Sequence, residues 1–504
     1  MPQVIVPPAT GADAPSSRQT RKLEPVIRRV LILAILFGQI AFHFSRPNVY
    51  LDPDIWWHLA TGRWILQNDS IPVTDPFSRF GQDRPWVEYS WLFDVLVFKA
   101  YRSAGLGGIE LVKTTTVALL ALVLYLLLHR LAGSFGSAVL LTATVLWACL
   151  PLATPRPWLF TIFLFILELA VLTRLRNGSG KKLALALPAI FALWANLHVQ
   201  FIYGLVLIGF FLLEGLQARF LQQSENYRGT WNSAGLYGTL LVACAGAACL
   251  NPYGLGLYRT VWDYANQGSI YLLIQDLSPP NFRSPTHWLF LGLVLGAAYV
   301  LGRRRVTSVL PYLLLGFGLF CGLRMQRDVW LGAVAGAVVL ASWPSGRKLE
   351  QLDPEWSPKV GVTSLIAFAS LVMVLWGFGT PETELKREVS KHYPVDAVRY
   401  ISSHSLGMPI FNDFGWGGYL AWALPSVKVS IDGRTNVHPP DRIMTSYRTW
   451  SGRPEWSSDR ELKEARVVLA PRNQPLVSIL RLQPGYQLAY QDDLAVVFSK
   501  PDGQ

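Results

Sequence analysis

The stretch LDPDIWWHLATGRWI, Leu51 to Ile65, follows the first long apolar run of the chain. Two carboxylates, adjacent tryptophans and a histidine crowd together where the chain leaves that run. Asp52 reads as a helix N-cap, Pro53 as the first helical residue and Asp54 as an acid favoured at the positive end of the helix dipole. A helix from there to about Asn68 places Asp54, His58, Thr61 and Asn68 on one face and turns Trp56, Leu59, Ala60 and Leu66 away. Such a helix is predicted to lie flat at a membrane interface, tryptophans in the headgroup layer and polar face toward water. Capping alone accounts for both carboxylates. The other reading points one or both into a cavity at the membrane's edge, where a carboxylate takes a proton from an acceptor hydroxyl or holds a divalent cation.

The surroundings of this stretch are those of a membrane protein. The 504 residues are 51% hydrophobic and 15% charged, against about a quarter charged in soluble domains. Apolar runs long enough to cross a bilayer recur from Val30 to about Gly377, giving about eleven spans: 30–45, 109–129, 136–153, 157–174, 183–199, 201–218, 234–250, 286–302, 307–323, 329–343 and 360–378. The net charge of +12 is explained by topology and does not call for nucleic acid. Cys149, Cys244, Cys249 and Cys321 lie in or beside apolar runs, without zinc spacing or a disulfide context, and read as small core residues.

Charge sets the orientation. Arg18, Arg21, Lys22, Arg28 and Arg29 put the N-terminus, with its Pro/Ala/Ser/Thr-rich disordered tail 1–27, on the cytoplasmic side of a plasma (inner) membrane. Arg28 and Arg29 abut the first span and no small-residue cleavage site follows, so that span is expected to remain as an anchor. His129-Arg130, Arg174 through Lys182, Arg219, Arg303 to Arg305 and Arg347-Lys348 then fall on the same side. The apolar segment from Trp91 carries Asp94, Lys99 and Arg102; counting it as a span inverts every later loop, so it reads as an interfacial or re-entrant helix. The bundle occupies 28–379, and loop 45–108, the loop Asn251–Pro285 and the segment 380–504 are external. That last segment alternates helices near 394–404, 417–424, 440–448, 459–465 and 474–482 with strands MPIFN, VKVSID, RVVLA, QLAYQ and LAVVFSK, predicting a small α/β domain with a largely parallel sheet.

Other external span ends are polar. Arg156 and Trp158 end one span, Asn196 and His198 another, and Arg324 and Arg327 a third. Positive charge there opposes the usual loop bias, and polar groups at such depth usually face a wet cavity. An anionic ligand such as a lipid phosphate suits the arginine fork; snorkelling, or pairing of Arg327 with Asp328, is the plainer alternative. Asp75-Pro-Phe-Ser reads as a structural turn. In FNDFGWGGYLAW the glycines point to close backbone approach. Asn412, Asp413, Asp432 and Arg434 fall at the carboxyl ends of strands, where open α/β sheets bind ligands.

These residues carry a resemblance. A first span followed by a long external loop opening on acids resembles the polytopic glycosyltransferases of the GT-C class, such as the protein O-mannosyltransferases and the lipid A aminoarabinose transferases. DPDIWWHLATGRWIL with IPVTDPFS, PRPWLF, LWANLHVQF, LNPYG and FNDFGWGGYLAW…SIDGR resembles more closely a group of bacterial membrane proteins placed near that class. The resemblance implies a mainly α, GT-C-like bundle and sugar transfer from a polyprenyl-phosphate carrier to an external glycan, lipid or protein acceptor. Only Asp52 or Asp54 matches the class's first-loop acid. The class often has Asp-Glu or Asp-Asp where this chain has Asp-Pro-Asp, so which carboxylate acts stays open. Asp52 and Asp54 are the expected catalytic groups and the expected ligands of any divalent cation. Trp57, His58, Arg156, Asn196, His198, Arg324, Arg327, Asp432 and Arg434 are the expected substrate-binding groups. A non-enzymatic translocator or assembly subunit for lipid-linked glycans is the alternative; glycines and prolines concentrated at span ends, Pro188 and Pro311 excepted, favour an enzyme over broken transport helices.

Overall fold

The structure, a computed structural model, describes residues 52–220, 231–266, 274–304, 306–342 and 380–500. The expected spans 30–45 and 360–378 and the N-terminal tail lie outside the described residues. The opening stretch forms helix α1 (Asp54–Asn68), which ends at Asp69 in the left-handed region at φ 47°. Asp52 does the capping, one residue out of step with expectation: its Oδ1 accepts the Asp54 N–H at 3.0 Å. Helix α2 (Trp91–Ala132) breaks at Ala104 and Gly105, the latter at φ 60°. Its first arm, 91–103, packs along α1; the remainder is apolar and enters the bundle.

The bundle continues with α3 (Phe135–Ala148), α4 (Trp158–Arg176), α5 (Leu187–Leu197), α6 (Ile202–Phe220) and α7 (Trp231–Ala247). After the short amphipathic α8 (Gly256–Ala265) come α9 (Pro285–Arg304), α10 (Leu310–Arg324) and α11 (Val329–Ala341). Helix α11 is almost wholly buried between α9 and α10. Among the described residues, α2, α4, α9 and the segment Val199–Phe220 are long and apolar enough to cross a membrane. The eleven-span count rests on the sequence.

The C-terminal part runs α12 (Glu382–His392), α13 (Val395–Ser403), β1 (Ile410–Asn412), α14 (Gly417–Ala423), α15 (Pro440–Trp450), α16 (Arg460–Glu464), β2 (Val467–Pro471), α17 (Pro475–Leu480), β3 (Gln487–Gln491) and β4 (Ala495–Ser499). The sheet order is β1-β2-β4-β3. Only β1–β2 is parallel, with Phe411 opposite Val468; β2–β4 and β3–β4 are antiparallel. The expected largely parallel sheet is therefore corrected to a mixed one. Asp492 accepts the N–H groups of Leu494 and Ala495, a side-chain-closed turn that folds β4 back on β3. VKVSID does not become a strand. Its Ser430 Oγ accepts the Asn412 backbone N–H and its own N–H donates to Asn412 Oδ1, and Val429 bridges to Ser78 of the first loop.

Helix α1 also departs from expectation. It does not lie with its tryptophans free for headgroups: Ile55, Trp56 and Leu59 are fully buried, and Trp56 stands edge-on to Tyr393 and Tyr419 at 5.3 and 5.1 Å. The arm of α2 and helix α14 cover it. Both approach through glycine. A Cβ on Gly62 would strike the Asp94 carbonyl, and one on Gly418 would stand 2.8 Å from the Pro53 carbonyl. Gly417 and Gly418 of FGWGG thus serve close backbone packing, Gly417 against the Ile431 carbonyl and Gly418 against that of Pro53.

Candidate functional site

The N-terminal turn of α1 opens onto a cavity of roughly 430 Å³. Asp52 and Asp54 line one wall, with Trp57 and His58 a turn further on. Helical spacing puts Asp54 and His58 on one face. Arg156 reaches in from the turn before α4. Its Nε donates to Asp52 Oδ2 at 2.6 Å, and its Nη1 donates to Asp54 Oδ2. One guanidinium therefore bridges both candidate acids, a fork lysine could not reproduce. Burial pushes the Asp54 carboxyl up to about 6 against the pull of Arg156, and the Asp52 charge adds to the rise.

The site residues expected from the sequence divide into two groups. Trp57, His58, Arg156, His198, Arg327 and Arg434 do line the cavity with the two acids. Arg324 does not: its Nη2 donates to the Ala265 carbonyl at the exposed end of α10. Asn196 is a structural tie, accepting from Trp91 Nε1 at 2.8 Å and donating to the carbonyls of Ala192 and Leu250. Asp432 lies behind the wall, wholly buried, where it binds Arg434 through Oδ2 at 2.6 Å. Arg434 also donates to Asp75 Oδ1 at 2.6 Å. This buried triad holds Asp432 well below the usual carboxylate range, Arg434 overcoming the cost of burial. Asp75 is the structural turn residue expected, accepting from Phe77 and Ser78 N–H. Its pairing with Arg434 was not visible in the sequence.

Arg327 is not paired with Asp328 as the plainer reading had it. Asp328 accepts from Gln200 and Tyr203 at 3.0 and 2.7 Å. Arg327 donates instead to the Tyr264 hydroxyl at 2.9 Å, and its Nε is buried without a partner. Among the described residues lining the cavity, Arg156 and Arg434 each carry carboxylate partners and Arg327 does not. It is the group with charge to spare for an anion.

Sequence reasoning missed Tyr89, Tyr264 and Asp276, which complete the wall. The available signal was compositional: Glu88-Tyr-Ser-Trp91 repeats the acid-plus-aromatic character of Asp54-Ile-Trp-Trp57. Glu88 itself is buried, accepting from Ser90 N and Oγ at 2.9 Å, and burial raises it from 4.5 to about 7. Between these values the folded chain keeps a proton that the unfolded chain has lost, so stability falls as pH rises through the window. Glu88→Gln is expected to remove that loss, raising stability by at most about 3 kcal/mol at pH 8 and leaving it unchanged near pH 4.5. Melting of the detergent-purified protein at both pH values checks it; a variant destabilised equally at both would refute the assignment.

As arranged, Asp52 and Asp54 share the Arg156 guanidinium between them. Among the described residues no group of three or more His, Cys, Asp or Glu side chains is placed to hold a metal ion.

This fold, a helical bundle with a long first loop clasped by a small mixed-sheet segment, is similar to that of a solved oligosaccharyltransferase. The archaeal oligosaccharyltransferase AglB from Archaeoglobus fulgidus, solved with an inhibitory peptide and a dolichol-phosphate, superposes with a TM-score of 0.50 at 12% identity, over 88% of this chain and 69% of that one. ArnT from Cupriavidus metallidurans, bound to undecaprenyl phosphate, superposes at 0.49 and 13% identity, over 93% and 98%. No protein-family model and no curated protein matches the sequence.

Proposed function

We propose that this protein is an integral-membrane glycosyltransferase that moves a sugar from a polyprenyl-phosphate carrier to an acceptor on the outer face of the plasma membrane. In this reading the N-terminus is cytoplasmic, residues 28–379 form the bundle, and residues 380–504 sit outside the membrane with the first loop. The carrying observation is the cavity itself, in which the Asp52–Arg156–Asp54 cluster shares one space with Arg327, a cation that has no carboxylate partner among the described residues. A phosphate is the anion that suits Arg327, and its lipid tail would reach the cavity laterally from the bilayer. The AglB fold supports the same reading, since that solved structure holds a dolichol-phosphate.

Asp54 Oδ1, which lies against Gly433, is the oxygen that Arg156 does not engage and the one that would orient an acceptor hydroxyl, while Arg156 supplies the positive charge that a metal ion would otherwise bring. A divalent ion on Asp52 and Asp54 would first have to displace Arg156. Transfer that survives EDTA supports Arg156 as the resident charge.

The test is incubation of the purified protein with a panel of radiolabelled polyprenyl-phosphate sugars. Asp54→Asn is expected to lower transfer by about 10²-fold or more, since it loosens Arg156 and loses the acceptor's hydrogen bond. Wild-type transfer should fall as pH drops through about 6, where Asp54 takes up a proton. Transfer that survives both Asp52→Asn and Asp54→Asn rules the site out. Lipid binding with no transfer by the wild type favours the translocator.

A further inference from the structure

Two histidines face the cavity with opposite hydrogen-bond commitments. His58 Nδ1 stands 2.5 Å from Asp94 Oδ1, both side chains buried. An ionised Asp94 only accepts, which puts the ring proton on Nδ1 and leaves Nε2 its lone pair. Burial, which raises Asp94 well above the ordinary carboxylate range, works against that ionisation, and a protonated Asp94 would donate to Nδ1 instead. His198 Nδ1 stands 2.8 Å from Thr161 Oγ1. That oxygen accepts the Trp194 indole N–H at 2.9 Å. The buried hydroxyl's own proton is then directed at His198 Nδ1, which places the ring proton of His198 on Nε2. With each Nδ1 occupied, Nε2 is the nitrogen that each ring has left for the cavity it lines. One offers a base and the other a donor.

We infer that His58, oriented by Asp94, is the general base of the transfer and that His198 donates a hydrogen bond to the departing phosphate. This assignment rests on the sugar-transfer reading above. Asp54 is the less suitable base because its Oδ2 is engaged by Arg156, and protonation would undo half of that bridge. Burial first, then the charges of Arg156 and His198, holds His58 well below the usual imidazole range, so it meets the acceptor neutral. Asp94 does not line the cavity and acts through His58 as a positioning residue. It fixes the tautomer and stabilises the imidazolium.

The acceptor hydroxyl gives its proton to His58 Nε2 while its oxygen forms the bond to the anomeric carbon. The bond from that carbon to the lipid phosphate breaks, and its electron pair stays on the phosphate oxygen, which accepts the His198 Nε2–H. His58 then returns its proton to solvent.

The experiment pairs kinetics with spectroscopy on the full-length, detergent-purified protein. With radiolabelled polyprenyl-phosphate sugars, His58→Gln and Asp94→Asn are expected to lower kcat by about 10²–10⁴-fold with KM little changed. In ¹⁵N-histidine spectra of the wild type, His58 should carry its proton on Nδ1 and His198 on Nε2, and Asp94→Asn should shift the His58 tautomer. Should His58→Gln fail to fold, Asp94→Asn and the wild-type spectrum still decide. Variants that keep the wild-type rate, or two histidines with the same tautomer, overturn the inference while leaving sugar transfer standing. A wild type that transfers nothing from any donor fells the sugar-transfer reading and this assignment with it; opposite tautomers in that protein would then mark the failure as one of reaction, not of geometry.

Discussion

Arg156→Met is expected to abolish transfer and to destabilise the folded protein by about 3–5 kcal/mol, the usual cost of leaving buried charge uncompensated. The size follows from what the side chain holds. Asp52 is 4% exposed, and it and Asp54 are brought together at the start of one helix with a single guanidinium between them. Without that bridge the two carboxylates repel in a poorly solvated space, and at least one must take up a proton. The proton would come at the expense of the charge that the cavity presents to substrate. Arg156→Lys keeps one positive charge but cannot fork to two carboxylates from that position. It should therefore recover part of the stability and little of the transfer. Thermal unfolding in detergent and the radiolabelled transfer assay read the two effects separately. An Arg156→Met protein that melts with the wild type would remove Arg156 from its place as the bridge.

The second large effect is expected at Arg434. Its guanidinium is wholly enclosed: Nη1 binds Asp75 of the first loop, and Nε and Nη2 bind Asp432 of the C-terminal part at 2.9 and 2.6 Å. The guanidinium carbon also lies over the Phe77 and Trp86 rings at 5.2 and 4.7 Å. The residue is a clamp between two regions more than 300 positions apart in the chain. Arg434→Met leaves two buried carboxylates and should cost about 3–5 kcal/mol. Asp75→Asn should cost less, because Asp432 keeps its two-pronged contact. Loss of the clamp should also loosen the first loop from the segment it meets through the Phe77–Val429 and Arg79–Val429 backbone hydrogen bonds. Limited proteolysis between residues 70 and 90 would report it. Protease resistance equal to the wild type would show that the remaining contacts suffice.

Local pattern carried much of this into the sequence. Apolar runs of bilayer length predicted helices close to α3, α4, α6, α7, α9, α10 and α11, because burial of such runs does not depend on which neighbour covers them. Short apolar runs between amphipathic helices likewise marked β1 to β4 within a residue or two, and marked VKVSID, which does not become a strand. The capping role of Asp52, the packing role of the FGWGG glycines and the structural role of Asp75 followed from short-range chemistry. Polar clusters at span ends brought Arg156, His198 and Arg327 into the candidate site, since such groups need a wet or charged neighbour.

The misses have a common cause. Arg324 and Asn196 share the composition of the site residues, and what separates them from Arg327 and His198 is only the direction of a side chain at a helix end. Asp328 looked like the partner of Arg327 because it is adjacent in sequence, yet the Gln200 and Tyr203 side chains reach it first. Helix α1 looked like an interfacial helix because nothing in its own residues announces that the arm of α2 and helix α14 will cover it. The pairs His58–Asp94, Arg156–Asp54 and Arg434–Asp75 join residues that no periodicity relates.

By itself, then, the amino-acid order determined the apolar helices, the strands and the residue types concentrated at one end of the bundle, all properties of short windows. Which carboxylate meets which guanidinium, which arginine is left without a carboxylate among the described residues and which partner each histidine Nδ1 meets were decided only by tertiary structure. The physical reason is that charge pairing and hydrogen bonding act over a few ångströms of space, whatever the distance along the chain, so their outcome exists only once distant segments have been packed together.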